Sequence, residues 1–318
     1  DGYLLGVSMS HEVGQGVYMD ADAFDDFCIM TLQRILDKKR IVLHNAKFDM
    51  HFLTYHYNLM FRGRDIHDTM IMHYLLDERQ GTHGLKSLTM KYGVLGDYDD
   101  ALDEFKKEYC KTNGLKAAEF NYGMIPWDII KLYAAKDTDA TLFLYEKFYP
   151  ILANNHKLLE CYNEVMLPAM HFLTKMEDRG IPVSKGRLTM AKELLTNELD
   201  ELKAMIYEYE EVHDLEAIQG DKFNPNSVQQ LRKLLFDHVG LEPTGKLTGT
   251  GAISTDADVL RELSESHPLP GLILDIRQKT KLRSTYIDKL LPVIDMDQRV
   301  RTGFNLTSTT SGRLSSSG

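Results

Sequence analysis

Few cysteines and no long apolar run limit what this chain of 318 residues can be. Its three cysteines, Cys28, Cys110 and Cys161, are odd in number and widely spread, which excludes a disulfide framework and a zinc spacing. That usage is typical of a reducing, intracellular compartment. No apolar stretch approaches the length of a membrane span, and the N-terminus lacks a signal-peptide pattern. We therefore expect a soluble, cytoplasmic protein that does not interact with a membrane.

Positive charge is also scarce, because 37 Lys and Arg stand against 47 Asp and Glu, for a net charge of −10. This balance argues weakly against a protein that coats nucleic acid. It does not exclude an enzyme that acts on nucleic acid, since such enzymes use local basic clusters and acidic metal sites. The net basic segments are Arg277–Arg283 and Arg299–Arg313, whereas acids are dense in Glu193–Glu216.

The first part of the chain alternates between strand and helix signals. Short β-type runs at Leu4–Ser8 and Gly16–Met19 predict a hairpin. Further strands and helices follow each other over roughly the first 150 residues, which is typical of an α/β layer. Asp97–Asn121 interrupts this order and is predicted to be acidic and irregular.

The second part of the chain is predicted to be mainly helical. A helix interrupted at Pro168 is expected to end at Gly180, where glycine can stop a helix. A long charged helix is then predicted from Ser184 to Val212, with leucines every seven residues as one apolar stripe. We place the boundary near Leu152–His156, which predicts domains at residues 1–153 and 154–318.

Two motifs that contain aspartates indicate a functional site. In the predicted helix Leu132–Leu144, Tyr133 and Asp137 lie four positions apart and share one face, while Asp139 points elsewhere. An acid on an otherwise apolar helix needs a partner, because desolvating a lone carboxylate is costly.

The stretch from His44 to Asp49 supplies a possible partner, because it follows the predicted strand Arg40–Leu43. Asn45 and Asp49 then lie at the carboxyl end of a strand, where ligands bind in open α/β sheets. A second strand-to-helix junction follows at Asp65–Tyr74, where Asp68 or Thr69 can cap the helix.

Acids that converge from separate elements suit magnesium, which takes one or two carboxylates together with substrate phosphates and water. Two such ions would activate a water and stabilise the leaving oxygen of a phosphodiester, with Tyr133 orienting the water. The simpler interpretation stays open, in which Asp49 caps its helix and Asp137 lies on a helix surface.

These motifs resemble a known family. Asn45-x-x-x-Asp49 and Tyr133-x-x-x-Asp137 resemble the second and third motifs of proofreading 3′–5′ exonuclease domains of the four-acid (DEDDy) type. Lys281–Leu290 (KLRSTYIDKL) resembles the thumb of family A DNA polymerases, the group of bacterial repair and many phage polymerases. Thr307–Ser316 (TSTTSGRLSS) resembles the approach to their palm.

The resemblance implies a ribonuclease-H-like exonuclease layer followed by thumb and early palm. It implies catalytic Asp49, Tyr133 and Asp137, with both aspartates binding two Mg²⁺ or Mn²⁺ ions. Implied partners are primer–template duplex, a single-stranded 3′ end, deoxynucleotides and, as an open question, a processivity factor, in a bacterial or phage-infected cytoplasm. The candidate DNA-binding residues are Asn45, Arg277, Lys281, Arg283, Ser284, Tyr286, Lys289 and Arg313.

The chain also departs from the family pattern. The first exonuclease motif, Asp-x-Glu on the first strand, is expected ahead of Leu4, and the palm acids are expected after Gly318. We therefore expect part of a longer polymerase that is catalytically incomplete by itself. Two alternatives remain: a stand-alone exonuclease with a helical accessory domain, and a non-catalytic scaffold that binds DNA.

Overall fold

The structure, a computed structural model, describes residues 2–62, 65–93 and 99–317. By packing, the chain separates into two units. Unit one comprises Asp1–Gly180 and Arg301–Gly318, and unit two comprises Ile181–Val300. Unit two is thus inserted in sequence between two segments of unit one.

Unit one begins with an antiparallel hairpin of β1 (Gly6–Met9) and β2 (Val17–Asp20), which confirms the predicted hairpin. Helix α1 (Asp26–Lys38) follows. Its N-terminal amides need acceptors, and the Asp25 side chain accepts from the Cys28 amide at 2.8 Å.

A parallel strand pair then creates the edge that carries the site. Strands β3 (Ile41–Leu43) and β4 (Ile66–Asp68) pair in parallel, with their last residues opposite each other. Each strand leads at once into a helix, α2 (Ala46–Tyr57) after β3 and α3 (Thr69–Leu76) after β4. The two helix N-termini therefore start side by side at one edge.

The prediction that Asp97–Asn121 is irregular is wrong for most of its length. After α4 (Leu85–Tyr92), helix α5 covers Asp100–Asn113. Its acids lie outward, while Leu102 is buried and the Phe105 ring packs on Phe120 with centroids 6.4 Å apart. An apolar face stabilises the helix despite its charge. The first two residues of the predicted stretch lie outside the described residues.

Helix α6 (Trp127–Ala153) is the longest element of unit one and contains the predicted helix Leu132–Leu144. Its second half packs into the core through fully buried Leu144 and Phe148, together with Met72 of α3. This packing fixes the second half of α6 in the core of unit one. The first half of the helix carries Tyr133 and Asp137.

The next helical stretch confirms the predicted end at Gly180, where the backbone turns to φ 62°. It consists of α7 (His156–Glu160), a π-helical segment (Cys161–Met166) and α8 (Leu167–Arg179). The predicted interruption at Pro168 is therefore displaced: proline lies in the first turn of α8, where its missing N–H costs little, and the irregular turn precedes it.

Unit two is mainly helical. Its short strands β5 (Ile181–Pro182) and β6 (Arg299–Val300) pair antiparallel. The helices are α9 (Lys185–Ile206), α10 (Glu210–Gln219), α11 (Val228–Arg232), α12 (Ala257–Leu263), α13 (Pro268–Lys281) and α14 (Asp288–Leu290), with π-helical segments Lys233–His238 and Leu282–Ile287.

The long helix predicted from Ser184 to Val212 is shorter than expected. Ser184 does cap it, accepting from the Arg187 amide, but α9 ends at Ile206. Its buried positions are Leu199 and Ile206, which pack in a core formed with α10 to α13. The helix therefore has several neighbours, and Leu202 of the predicted stripe is partly buried against the same core.

The chain returns to unit one with β7 (Gly303–Asn305) and β8 (Ser315–Ser317), an antiparallel pair. The observed order agrees with the predicted α/β layer followed by a mainly α-helical region. The predicted domain division after residue 153 describes sequence and stays a prediction, since the compact units describe packing. Among helices in the described ranges, none combines the length and apolar character needed to cross a membrane.

Candidate exonuclease site and DNA-binding residues

The turn between β3 and α2 presents the first acidic motif. Asn45 occupies the left-handed region, with φ 61° and ψ 52°, and its side chain makes no capping bond to the described backbone of α2. Asn45 is exposed and Asp49 is half-buried in the first helical turn. Both predicted residues thus lie at the carboxyl end of the parallel strand pair.

Asp68 holds this turn, which sequence reasoning did not find. Its buried carboxylate accepts the predicted cap bonds from the amides of Met70 at 2.8 Å and Ile71 at 3.4 Å. It also accepts from the amides of Asn45 at 3.2 Å and Ala46 at 2.8 Å. Burial raises the pKa of Asp68, and the four amide donors oppose that rise. One carboxylate therefore joins the starts of α2 and α3.

Helix α6 brings the second motif to the same place. Tyr133 hydrogen-bonds to Asp137, one turn further along. Burial raises the pKa of Tyr133 above its usual value, and the negative charge of Asp137 raises it further. The phenol therefore stays protonated at neutral pH and can donate a hydrogen bond.

Asp49 and Asp137 are close enough to influence each other electrostatically. The pKa of Asp49 is raised to about 7, first by burial and then by the negative charges of Asp68 and Asp137. Carboxylates from β4, α2 and α6 thus share one small region, although they lie far apart in sequence. A cation placed there would relieve their repulsion.

The other face of α6 confirms that Asp139 points elsewhere. Its buried carboxylate accepts from the Ser10 hydroxyl at 2.6 Å. Gly16 packs against the same helix so tightly that a Cβ there would lie 2.2 Å from the Ala135 carbonyl oxygen. The β1–β2 hairpin therefore supports α6 from the side opposite Tyr133 and Asp137.

The donor set suits a magnesium-type ion. Asp49 and Asp137 provide two carboxylates, and such ions commonly take one or two protein carboxylates with phosphate and water. Within residues 2–62, 65–93 and 99–317, no group of three or more His, Cys, Asp or Glu side chains has the arrangement of a metal site.

A second charged cluster fixes the opposite face of α2. The Lys47 ammonium donates to Glu177 and to the carbonyl of Phe304, and His51 lies 2.7 Å from Glu177 and 2.6 Å from Asp178. Burial raises the pKa of Glu177, but Lys47, the Phe304 amide and His51 together lower it below its usual value. This charge cluster links α2 to α8 and β7.

Among the predicted DNA contacts in unit two, Arg277 is engaged inside the protein. Its guanidinium donates to the carbonyls of Pro225 at 2.7 Å and Thr255 at 2.8 Å. Arg283 is half-buried, 3.3 Å from the Thr196 hydroxyl and 3.8 Å from Asp288. These contacts give both arginines a structural role.

The other predicted contacts in unit two are accessible. Lys281, Ser284, Tyr286 and Lys289 are all exposed, on the π-helical segment and its two ends. Arg313 is likewise exposed and lies in unit one, on the loop that leads into β8. The structure therefore separates the predicted basic residues into engaged and accessible ones.

Comparison with known proteins covers almost the whole chain. Residues 1–153 match the family model described as 3′–5′ exonuclease, and residues 187–318 match the one described as DNA polymerase family A. The second match argues against a stand-alone exonuclease.

The individual relatives agree with the family-model matches. The DNA polymerase of Escherichia phage T5 is 54% identical over 100% of this chain, which covers 38% of that protein. DNA polymerase I of Rhizobium leguminosarum is 34% identical over 90% of this chain, which covers 26% of it. The chain thus spans roughly a quarter to two fifths of the length of these curated relatives.

A solved structure supports the same assignment. The POL domain of Pol1 from M. smegmatis, in complex with DNA primer-template and dNTP, matches with a TM-score of 0.67 and 26% identity. The match covers 95% of this chain and 46% of that one, and it confirms the predicted fold class. Successive parts of the chain thus match the 3′–5′ exonuclease model and the DNA polymerase family A model, in the order predicted from the sequence.

Proposed function

We propose that this chain forms the proofreading exonuclease and primer–template-binding parts of a DNA polymerase. The observation that carries the proposal is the convergence of Asp49 from α2 and of Asp137 and Tyr133 from α6. Nearly ninety residues separate the two acids in sequence, and they come from two different helices.

In the proposed mechanism, Asp49 and Asp137 would hold two Mg²⁺ or Mn²⁺ ions at the DNA terminus. When bound, such a pair activates a water and stabilises the leaving oxygen of the phosphodiester. Tyr133 remains a neutral phenol whose O–H donates to Asp137, and its hydroxyl oxygen can accept from the attacking water and so orient it. Asn45, which is exposed, is assigned to contact the single-stranded 3′ end.

Binding of the primer–template duplex falls to the accessible residues. Lys281 and Lys289 supply charge to phosphates, and Ser284 and Tyr286 supply hydroxyl groups between them. Such contacts position a duplex without reading its sequence and weaken with salt. Arg313 is assigned to the same duplex near the primer end. Arg277 and Arg283 contribute indirectly, because their internal contacts shape the surface.

The wider assignment follows the relatives, which are phage and bacterial polymerases. We infer deoxynucleotides as substrates of the complete polymerase and the cytoplasm of a bacterium or phage-infected cell as its location. A division into residues 1–153 for hydrolysis and 154–318 for duplex binding is part of this proposal. A processivity factor stays an open partner.

The test uses the intact polymerase that carries this sequence. We expect Asp137→Ala to reduce magnesium-dependent 3′–5′ hydrolysis of single-stranded DNA by about a thousandfold or more, since several kcal/mol of transition-state stabilisation are lost. Polymerisation should persist. Asp128→Ala is the control, because this acid lies on the same helix with an 85% exposed side chain. Unchanged hydrolysis in Asp137→Ala would refute the site, leaving a scaffold that binds DNA.

A further inference from the structure

Asp68 is a buried acid that the proposed mechanism does not use. It is 3% exposed, and its carboxylate is surrounded by amide donors from two helices. We propose that Asp68 is a positioning residue for the exonuclease site, which holds the turn at residues 44–46 and thereby aims Asn45 and Asp49. This inference rests on the proposed function.

The turn needs such a partner. Asn45 is held at φ 61°, a conformation that residues with a Cβ adopt only at a cost in free energy. The first amides of a helix also require acceptors, and within the described chain the Asn45 side chain does not cap α2. Asp68 accepts the amides of Asn45 and Ala46, so its carboxylate replaces the missing cap.

Asp68 is itself held from both sides. Its own amide donates to the buried Tyr162 hydroxyl at 3.1 Å. The neighbouring Thr69 hydroxyl lies 2.8 Å from Nδ1 of His44 and donates to the Leu43 carbonyl at 3.3 Å. Asp68 and Thr69 therefore fix the turn to the core of unit one, independently of α2.

The link from this turn to the chemistry is short. Asp49 follows Ala46 by three residues, so its carboxylate lies within one helical turn of the bonds from Asp68. A shift at the start of α2 is carried rigidly to Asp49. Metal ligands depend on such supporting bonds, whose loss typically costs 10–100-fold in affinity or activity.

Asp68→Ser separates the two functions of the carboxylate. Serine is a good helix cap and keeps the start of α3, but it is too short to reach the amides of Asn45 and Ala46 as well. Asp68→Asn retains length and loses half of the acceptor capacity. Asp25→Asn is the matched control, because it makes the same carboxylate-to-amide change at the N-cap of α1, away from the turn.

Three measurements on the intact polymerase test the proposal. Hydrogen exchange over residues 44–50 should accelerate in both Asp68 variants and not in Asp25→Asn. Mn²⁺ affinity of the exonuclease site should fall about tenfold. The kcat for hydrolysis of single-stranded DNA should fall about 10–100-fold while KM changes less than about threefold.

Two results would overturn the proposal. In the first, Asp68→Ser has a kcat and a Mn²⁺ affinity within twofold of those of the parent. This result contradicts the proposal even if the thermal stability of the variant falls. The other applies if both Asp68 variants fail to fold: Thr69→Val should then lower kcat at least threefold, and an unchanged kcat contradicts the positioning role. Asp49→Ala distinguishes failure of the positioning role from failure of the proposed function. If hydrolysis persists in Asp49→Ala, the proposed function is refuted.

Discussion

Charged side chains are arranged in opposite ways in the two units. In unit one, Asp49, Asp68 and Asp137 lie half-buried or buried and alter one another's environment. In unit two, Lys281 and Lys289 are exposed, and they lie apart, at the end of α13 and in α14. Neighbouring buried charges interact strongly, whereas exposed ones are screened by water and salt.

In the proposed function, the buried acids serve catalysis and the exposed lysines serve duplex binding. A site that must hold ions and a reacting phosphate gains from charges that are costly to keep together, because the ligand relieves that cost. A surface that holds a duplex gains from many weak, additive contacts. Single substitutions should therefore have large, coupled effects in unit one and small, independent effects in unit two.

The largest effect on stability is expected in the charge cluster beneath α2. Lys47→Met leaves Glu177 without its main cation, and we expect the free energy of unfolding to fall by about 3 kcal/mol, as for other broken buried pairs. Lys86→Met is the control. Lys86 is also paired with acids, Asp99 and Asp103, but its side chain is 49% exposed. Its effect should stay within about 1 kcal/mol. Equal losses in urea denaturation would contradict the contrast between buried and exposed pairs.

A smaller effect of opposite sign is expected at Asp49. Its pKa is raised from 3.8 to about 7, so the folded state binds more protons than the unfolded state between these values. Stability therefore falls as pH rises through that window and levels off above it. Asp49→Asn removes the charge, and we expect a gain in stability near pH 8 that disappears toward pH 4.

The measurement for Asp49→Asn is thermal unfolding with a chelator present, at a series of pH values. Asp128→Asn on α6 serves as the exposed control and should show no such pH dependence. A gain for Asp49→Asn that persists at pH 4 would assign the effect to packing instead of charge.

The smallest effects are expected in unit two. Lys281→Ala and Lys289→Ala should each weaken duplex binding about two- to threefold at low salt and reduce the salt slope by about 1. Lys203→Ala, on α9 with Asp200 as its neighbour, is the control. Binding titrations at several salt concentrations decide the matter. Loss of all affinity on a single lysine substitution would contradict additive contacts.

Local signals in the sequence predicted the elements that carry the site. These signals depend on near neighbours, and the structure agrees with the predicted strand ahead of His44 and with the predicted helix that carries Tyr133 and Asp137. Helix α5 was not predicted, because its many acids obscure a small apolar face in the sequence. That face is evident only from the packing of Phe105 against Phe120.

The support for the site could not be predicted in the same way. Asp68 reaches Asn45 only because β3 and β4 pair in parallel with their ends aligned. Lys47 meets Glu177 across 130 positions of sequence. Neither pairing leaves a local pattern, since any acid and any base in the chain are equally compatible with composition.

The sequence by itself determined the family, the order of strands and helices, and the residue types available for metal and DNA contacts. Tertiary structure alone decided which of those residues act together: it set Asp49 beside Asp137 and committed Arg277 to internal carbonyls. The physical reason is the separation in sequence over which the interactions act. Helices and turns follow from interactions over a few residues, whereas shared burial of charge depends on which distant segments pack against each other.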